Sequence, residues 1–138
     1  MEITRDVTLD TSAEEAWRLL TDEAELSAWL ADEVTLDARP GGTGRLVDGD
    51  EVRAAIVDEI EDGKALRLLW WTVGDAGGPV SEVTFTLAPA EQGTRVHVVE
   101  RVRGGVGPKG RALAAAAWDD RLLGLELRCL AGARLAVG

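Results

Sequence analysis

The chain divides into stretches that alternate with period two and stretches that repeat every three to four residues. Residues 2–9 alternate: Ile3, Arg5, Val7 and Leu9 point one way, Glu2, Thr4, Asp6 and Thr8 the other. Successive side chains leave a strand on opposite faces, so this pattern predicts a strand. Arg5 interrupts its apolar face and is expected near the open end of the sheet. Ser12-Ala13-Glu14-Glu15 reads as a capping box, with Ser12 accepting from the Glu15 backbone N–H and Glu15 reaching back. Ala16, Leu19 and Leu20, with Trp17, form the buried side of a short helix. Residues 22–25 repeat the acidic start, and Leu26, Trp29 and Leu30 predict a second short helix.

Alternation then returns. Residues 33–38 alternate weakly up to a turn at Pro40-Gly41-Gly42. Residues 43–47 predict a short strand, closed by Asp48-Gly49-Asp50, a hairpin turn with an Asp-Gly pair. A longer strand covers 51–61 and ends at Asp62-Gly63-Lys64. Residues 65–73 are the most apolar strand: Arg67 marks an outward face shared with Leu69, Trp71 and Val73, leaving Leu66, Leu68 and Trp70 inward. After a loop at 74–79, residues 80–87 alternate cleanly with Val83, Phe85 and Leu87 inward, and 89–93 turn the chain. Residues 94–102 put Val96, Val98, Glu100 and Val102 on one face and Arg95, His97, Val99 and Arg101 on the other. Gly104, Gly105, Gly107 and Pro108 make a hinge.

The tail has helical spacing. Residues 111–134 hold no proline and open with an Ala-rich run, which predicts a rod of about 35 Å. Trp118, Leu122, Leu125 and Cys129 share one face; Leu123, Leu127 and Leu130 form a second row about 140° round. A helix apolar on two sides has something to cover on at least one of them. The order is strand, two short helices, about six strands joined by tight turns, and one long helix. Hairpin turns make the sheet antiparallel, and one helix lying across it gives an α+β two-layer domain spanning residues 1–138. A wide sheet twists and curls round such a helix, and a cavity opens where the two part.

Composition narrows the function. Hydrophobic residues make up 46% and charged residues 29%, which suits a folded chain rather than a disordered one. No apolar run approaches the ~20 residues a membrane span needs. The charged, alternating N-terminus is no secretory signal. Cys129 is the only cysteine, which excludes an internal disulfide and a Cys-based metal site. These features predict a cytoplasmic protein. The net charge of −10, from 25 acids against 15 bases, repels phosphate backbones and anionic headgroups, so neither nucleic acid nor membrane is expected as a partner. The acidity itself is read mainly as an aid to solubility.

Several pieces in order carry a resemblance. Residues 12–17 are followed by Thr21-Asp22 and by Leu26 and Trp29 three apart. Then come Gly41-Gly42, residues 81–87 (SEVTFTL), Gly93-Thr94-Arg95-Val96, and Trp118-Asp119 with a Leu-rich tail. Together they resemble the SRPBCC or START-like superfamily, most nearly the branch named for the C-terminal domain of the heat-shock-protein ATPase activator homologue (AHSA). The resemblance spans nearly the whole chain and rests on the order of short pieces. It implies the helix-grip fold: a curved antiparallel sheet of six to seven strands around a long C-terminal helix, with two short helices after strand one. It also implies a deep apolar pocket between sheet and helix. Members of the wider superfamily bind lipids, hormones or polyketides, and a few cyclise polyketides. The branch often carries a second aromatic after the Trp of the second helix; here Leu30 stands there, which is expected to widen the pocket mouth. Gly124 interrupts the tail helix.

If the helix grips the sheet, the inward set is Leu68, Trp70, Val83, Phe85, Val98, Glu100, Trp118 and Leu122, with Trp29 at the mouth. Such a set suits a small hydrophobic or amphipathic ligand; it also suits a core that is simply filled. Glu100 is the sharpest residue. A buried, unpartnered carboxylate there could act as an acid or orient a ligand hydroxyl. The preferred alternative is an inward charge near a wet strand end, or one paired with Arg45, Arg53 or Arg121. His97 is the only histidine and should face outward, away from Ser12, Ser27 and Ser81, so no nucleophilic triad and no metal site is expected. Gly41-Gly42-Thr43-Gly44 precedes a strand, so it is no phosphate loop. Asp48, Asp50 and Glu51 lack calcium-loop spacing. Cys129 is expected to be an inert buried thiol. No cofactor is implied. The expected function is non-catalytic binding of a lipid- or polyketide-like molecule. The alternatives are a polyketide cyclase/aromatase with Glu100 as acid/base, and a stress-response domain with a chaperone partner. Monomer and homodimer both remain open.

Overall fold

The computed structural model describes the backbone of residues 1–104 and 106–137 and the side chains of these up to Gly132. Gly105, one of the expected hinge residues, lies outside the described residues. The elements follow one another as β1 (Glu2–Leu9), α1 (Ala13–Thr21), α2 (Glu23–Trp29), β2 (Glu33–Leu36), β3 (Thr43–Asp48), β4 (Glu51–Glu61), β5 (Ala65–Thr72), β6 (Val80–Ala90), β7 (Gly93–Arg103) and α3 (Pro108–Val137).

Local chemistry sets the boundaries. Ser12 Oγ accepts the Glu15 backbone N–H at 3.1 Å and starts α1. The reciprocal half of the capping box does not form, because the Glu15 carboxylate is held by Arg18 at 2.6 and 3.0 Å. Asp22 ends α1 and at once caps α2 through the Glu25 N–H at 3.1 Å, so the chain turns between the helices without a loop. The hairpin tip between β3 and β4 differs from its sequence reading. Asp48 pairs with Glu51, so the two turn residues are Gly49 and Asp50, with positive φ (57°) at Gly49 alone. Glycine is thus first of the central pair, as a type II′ turn requires. Strand β6 runs on through Pro89, opposite Thr94, to Ala90, and the turn is Glu91-Gln92.

The seven strands form one antiparallel sheet in the order β1-β7-β6-β5-β4-β3-β2. Strands β1 and β2 therefore lie at opposite edges, and the two short helices carry the chain between them. A register shift between Val57 and Glu59 leaves Asp58 as an extra residue in β4, which adds twist where the sheet bends. The curved sheet closes around α3 in the helix-grip arrangement. Ile3, Val7, Leu9, Val57, Leu66, Val83, Val96 and their neighbours form the inner face, and Trp118, Leu122, Leu125 and Cys129 of α3 are all buried against it. Burial pushes the Cys129 thiol above its ordinary range, as expected of a packed, inert cysteine. Arg5, on the inner face of β1, is no loose end: its Nε donates to Asp119 Oδ1 at 2.8 Å and ties β1 to α3. Leu123, Leu127 and Leu130 are more than half exposed, so this second row does not cover the short helices. No described helix is long and apolar enough to cross a membrane.

Gly124 does not break α3. It faces α2, where an added Cβ would lie 3.6 Å from Trp29 Cβ, an ordinary contact. Alanine is better than glycine in a helix by about 1 kcal/mol. Gly124→Ala should therefore raise unfolding stability by about 1 kcal/mol, seen as a thermal midpoint higher by roughly 3 °C. A lowered midpoint would mean that α3 cannot withdraw even slightly from α2.

Candidate functional site

Aromatic packing occupies the middle of the grip. Trp118 stacks on Trp70 with ring centres 6.1 Å apart and meets Phe85 edge-on at 5.8 Å. Phe85 in turn meets Trp29 edge-on at 6.0 Å. Leu68, Val83, Val98 and Leu122 are buried around these rings. Trp29 is 6% exposed, its Nε1 donates to the Leu19 carbonyl at 2.8 Å, and it borders an open hollow of about 440 Å³ beside α2 rather than the cavity under the start of α3. Leu30 is also buried and borders the same hollow.

One open space lies further along the groove, under the first turns of α3. It is a cavity of about 280 Å³ whose walls include Trp70, Glu100, Ser81, Arg53, Arg121 and Leu113. Of the nine residues read from the sequence as a ligand site, the structure brings Trp70 and Glu100 to this cavity. Leu68, Val83, Phe85, Val98, Trp118 and Leu122 pack behind it, and Trp29 lies beyond them. Arg53, Ser81 and Arg121 were missed as lining residues, although their spacing holds the signal. Arg53 is two residues from buried Ala55 and Ser81 two from buried Val83, both on the inward register. Arg121 follows Trp118 by three positions on α3.

The polar groups of the cavity are of two kinds. Arg53 is neutralised in place: Nη2 lies 3.0 Å from Glu51 Oε1 and Nη1 3.5 Å from Asp48 Oδ2. Arg121 is different. Its Nε donates to the Leu30 carbonyl at 3.1 Å, and its guanidinium stands 4.9 Å over the Trp118 ring and 5.6 Å from Trp70. Its nearest carboxylate is Asp48, at 4.0 Å. Its side chain is only 12% exposed, and burial, with the like charge of Arg53, pulls its pKa below the usual arginine range. Aromatic faces offset part of that desolvation, and an arginine so placed stays cationic.

Glu100 is neither wet nor ion-paired, contrary to the preferred sequence reading. It is 6% exposed, and its Oε1 accepts the Trp118 indole N–H at 2.8 Å. Among the described residues it has no cation within 4 Å. The indole is its donor because β7 and α3 face each other here, a contact that no local spacing reveals. His97 lies outside this site; Nδ1 meets Asp6 Oδ1 at 2.7 Å on the outer face. Ser12 caps α1, and Ser27 braces Val34 through its backbone N–H. Among the described residues no group of three His, Cys, Asp or Glu side chains is placed to hold a metal ion. The site offers an aromatic wall, one cation, one anion and a serine hydroxyl. These groups can hold and orient a molecule.

Comparison with known proteins agrees with this architecture. Residues 10–126 match the family described as Activator of Hsp90 ATPase homolog 1-like protein. An uncharacterised protein of Schizosaccharomyces pombe is 29% identical over 98 residues, which cover 71% of this chain and 29% of that protein. Among solved structures, DynU16, a putative protein in the dynemicin biosynthetic locus, superposes with a TM-score of 0.83 at 23% identity. That match covers 95% of this chain and 48% of DynU16. The Aha1 dimer from Colwellia psychrerythraea gives a TM-score of 0.74 at 20% identity, over 91% of this chain and 93% of that one. At such identities the structural likeness shows the shared fold. The chain spans less than half the length of the yeast protein and of DynU16. It belongs to the Activator of Hsp90 ATPase homolog 1-like family, within the SRPBCC-type helix-grip fold.

Proposed function

From that membership we propose that the protein binds a small hydrophobic or amphipathic molecule, without transforming it, between the sheet and the first half of α3. The observation that carries this reading is the 280 Å³ cavity walled by Trp70 and closed by α3. The space lies just under the roughly 300–1,000 Å³ common for ligand sites, but its mostly apolar wall with a few convergent polar groups has the form of one for a small molecule. DynU16, described as a putative protein in the dynemicin biosynthetic locus, is consistent with a small-molecule ligand. Titration with bicyclic aromatics, followed by tryptophan fluorescence and calorimetry, tests the proposal. Saturable binding that is lost on filling the cavity with Ala117→Phe is the expected result; no binding by any of them would refute it.

A second reading comes from the family description itself, stimulation of the Hsp90 ATPase. It is tested by adding the protein to the chaperone and measuring hydrolysis. A rise in rate at stoichiometric protein would favour it, and Ala117→Phe should leave that rise unchanged.

A further inference from the structure

Arg121 and Glu100 both face the cavity, and among the described residues neither has an oppositely charged partner closer than 4.0 Å. They are linked through one ring. Arg121 lies over the face of Trp118, and Glu100 binds the N–H at its edge. The other charges at this wall, Arg53 and Glu51, cancel each other at 3.0 Å. What is left is a separated cation and anion opening on a shared apolar space, each with hydrogen-bonding capacity unused. Glu100 Oε1 is taken by Trp118, and no donor among the described residues reaches Oε2. Arg121 Nε is taken by Leu30, and neither terminal nitrogen makes a hydrogen bond to another described residue.

We propose that Arg121 and Glu100 select an uncharged hydroxylated ligand, an aryl alcohol whose one hydroxyl donates to Glu100 Oε2 and accepts from Arg121. This rests on the binding reading above and names its ligand class. A hydroxyl carries a donor and an acceptor on one atom, which is what two opposed charges demand. A carboxylate would meet Arg121 but face Glu100 across a low-dielectric gap; an ammonium would suffer the converse. A plain hydrocarbon would bury both charges with no new partner, which is costly for charged groups. The ring of the ligand packs against Trp70 and Leu113, the apolar walls beside the pair.

The probes are 2-naphthol, 2-naphthoate, 2-naphthylmethylammonium and naphthalene, titrated into the intact chain at pH 7. A hydrogen bond to a charged group is expected to favour 2-naphthol over the other three by about tenfold or more. Equal binding of naphthalene and 2-naphthol would overturn the selection while leaving the binding reading intact. Tighter binding of 2-naphthoate would overturn it too, by making Arg121 a plain anion site. Failure of all four would remove the binding reading itself. Variants check the assignment. Glu100→Gln keeps an acceptor for the Trp118 N–H and removes the negative charge, so 2-naphthoate should gain at least tenfold relative to 2-naphthol. Arg121→Gln should shift preference towards the ammonium probe. Each ratio compares two ligands on one protein, so a general loss of stability does not imitate it. An unchanged ratio in both variants would show that these residues do not choose the ligand.

Discussion

Replacing Trp118 by alanine should lower unfolding stability by about 4 kcal/mol, the upper range for large-to-small changes in a core. The residue is fully buried and is the centre of the packing between α3 and the sheet. Its removal takes away the stack on Trp70, the edge contact with Phe85 and the hydrogen bond to Glu100 together. It leaves a void and a carboxylate with no donor. A domain of this size has a total stability of roughly 5–15 kcal/mol, so the loss is a large share. Urea unfolding monitored by circular dichroism measures it as a fall in the midpoint at unchanged slope. Trp118→Phe separates the two causes: it restores most of the ring and still lacks the N–H, and should cost about 2 kcal/mol. A loss under 1 kcal/mol for the alanine variant would show that the interior collapses freely and that the grip is not held at this point.

The second large effect is at Glu25. This carboxylate, in the first turn of α2, is almost fully buried and is held from both sides. Arg128 of α3 donates from Nε at 2.8 Å and from Nη2 at 3.1 Å, and Arg18 of α1 donates from Nη1 at 3.1 Å. One side chain thus joins all three helices. The Arg128 hydrogen bonds, then those of Arg18, hold the carboxyl below its ordinary value against an opposing cost of burial. A group whose pKa is lower folded than unfolded stabilises the fold only where it is ionised. Its contribution is full above the ordinary value of 4.5 and disappears as the pH falls through the lower, folded value. Glu25→Gln should therefore cost about 2 kcal/mol at pH 7. The gap between wild type and variant should narrow steadily below about pH 4.5. Both arginines are partly exposed and regain water when released, which keeps the loss below that of an unpaired buried charge. A gap constant from pH 7 to pH 3 would mean that packing, not charge, links the helices.

The architecture was legible because most of its signals are local. Period-two faces placed Leu66, Leu68, Trp70, Val83, Phe85 and Val98 inward, and the four-three-four spacing from Trp118 to Cys129 found the buried side of α3. Turn chemistry located the hairpins, and erred only where pairing decides. The position of Gly49 in its turn depends on Asp48 facing Glu51, and Pro89 stays in β6 because Thr94 lies opposite. The cavity was harder to read, because inwardness is a property of one strand and emptiness a property of several. Phe85 and Trp70 share the inner face, yet Phe85 is enclosed by Trp29 and Trp118 while Trp70, though only 3% exposed, borders the cavity. Arg121 was named from the sequence as one of three partners for Glu100. Its role as a wall depends on the Leu30 carbonyl, ninety-one positions away in the chain. Arg5 shows the same limit: it looked like a flaw in a strand and proves to be half of a clasp to Asp119.

Arg121 has a second neighbour to separate. With Ala117 it lines the cavity on one side and, on the other, a hollow of about 440 Å³ that reaches Ser27, Trp29 and Asp32. Its guanidinium is a partition hung on a flexible stem and latched by one carbonyl and two ring faces. Unlatched, it would leave only Ala117 as lining common to the cavity and the hollow. On the binding reading proposed above, a guest too long for the first cavity would meet this one arginine before it reached the second hollow.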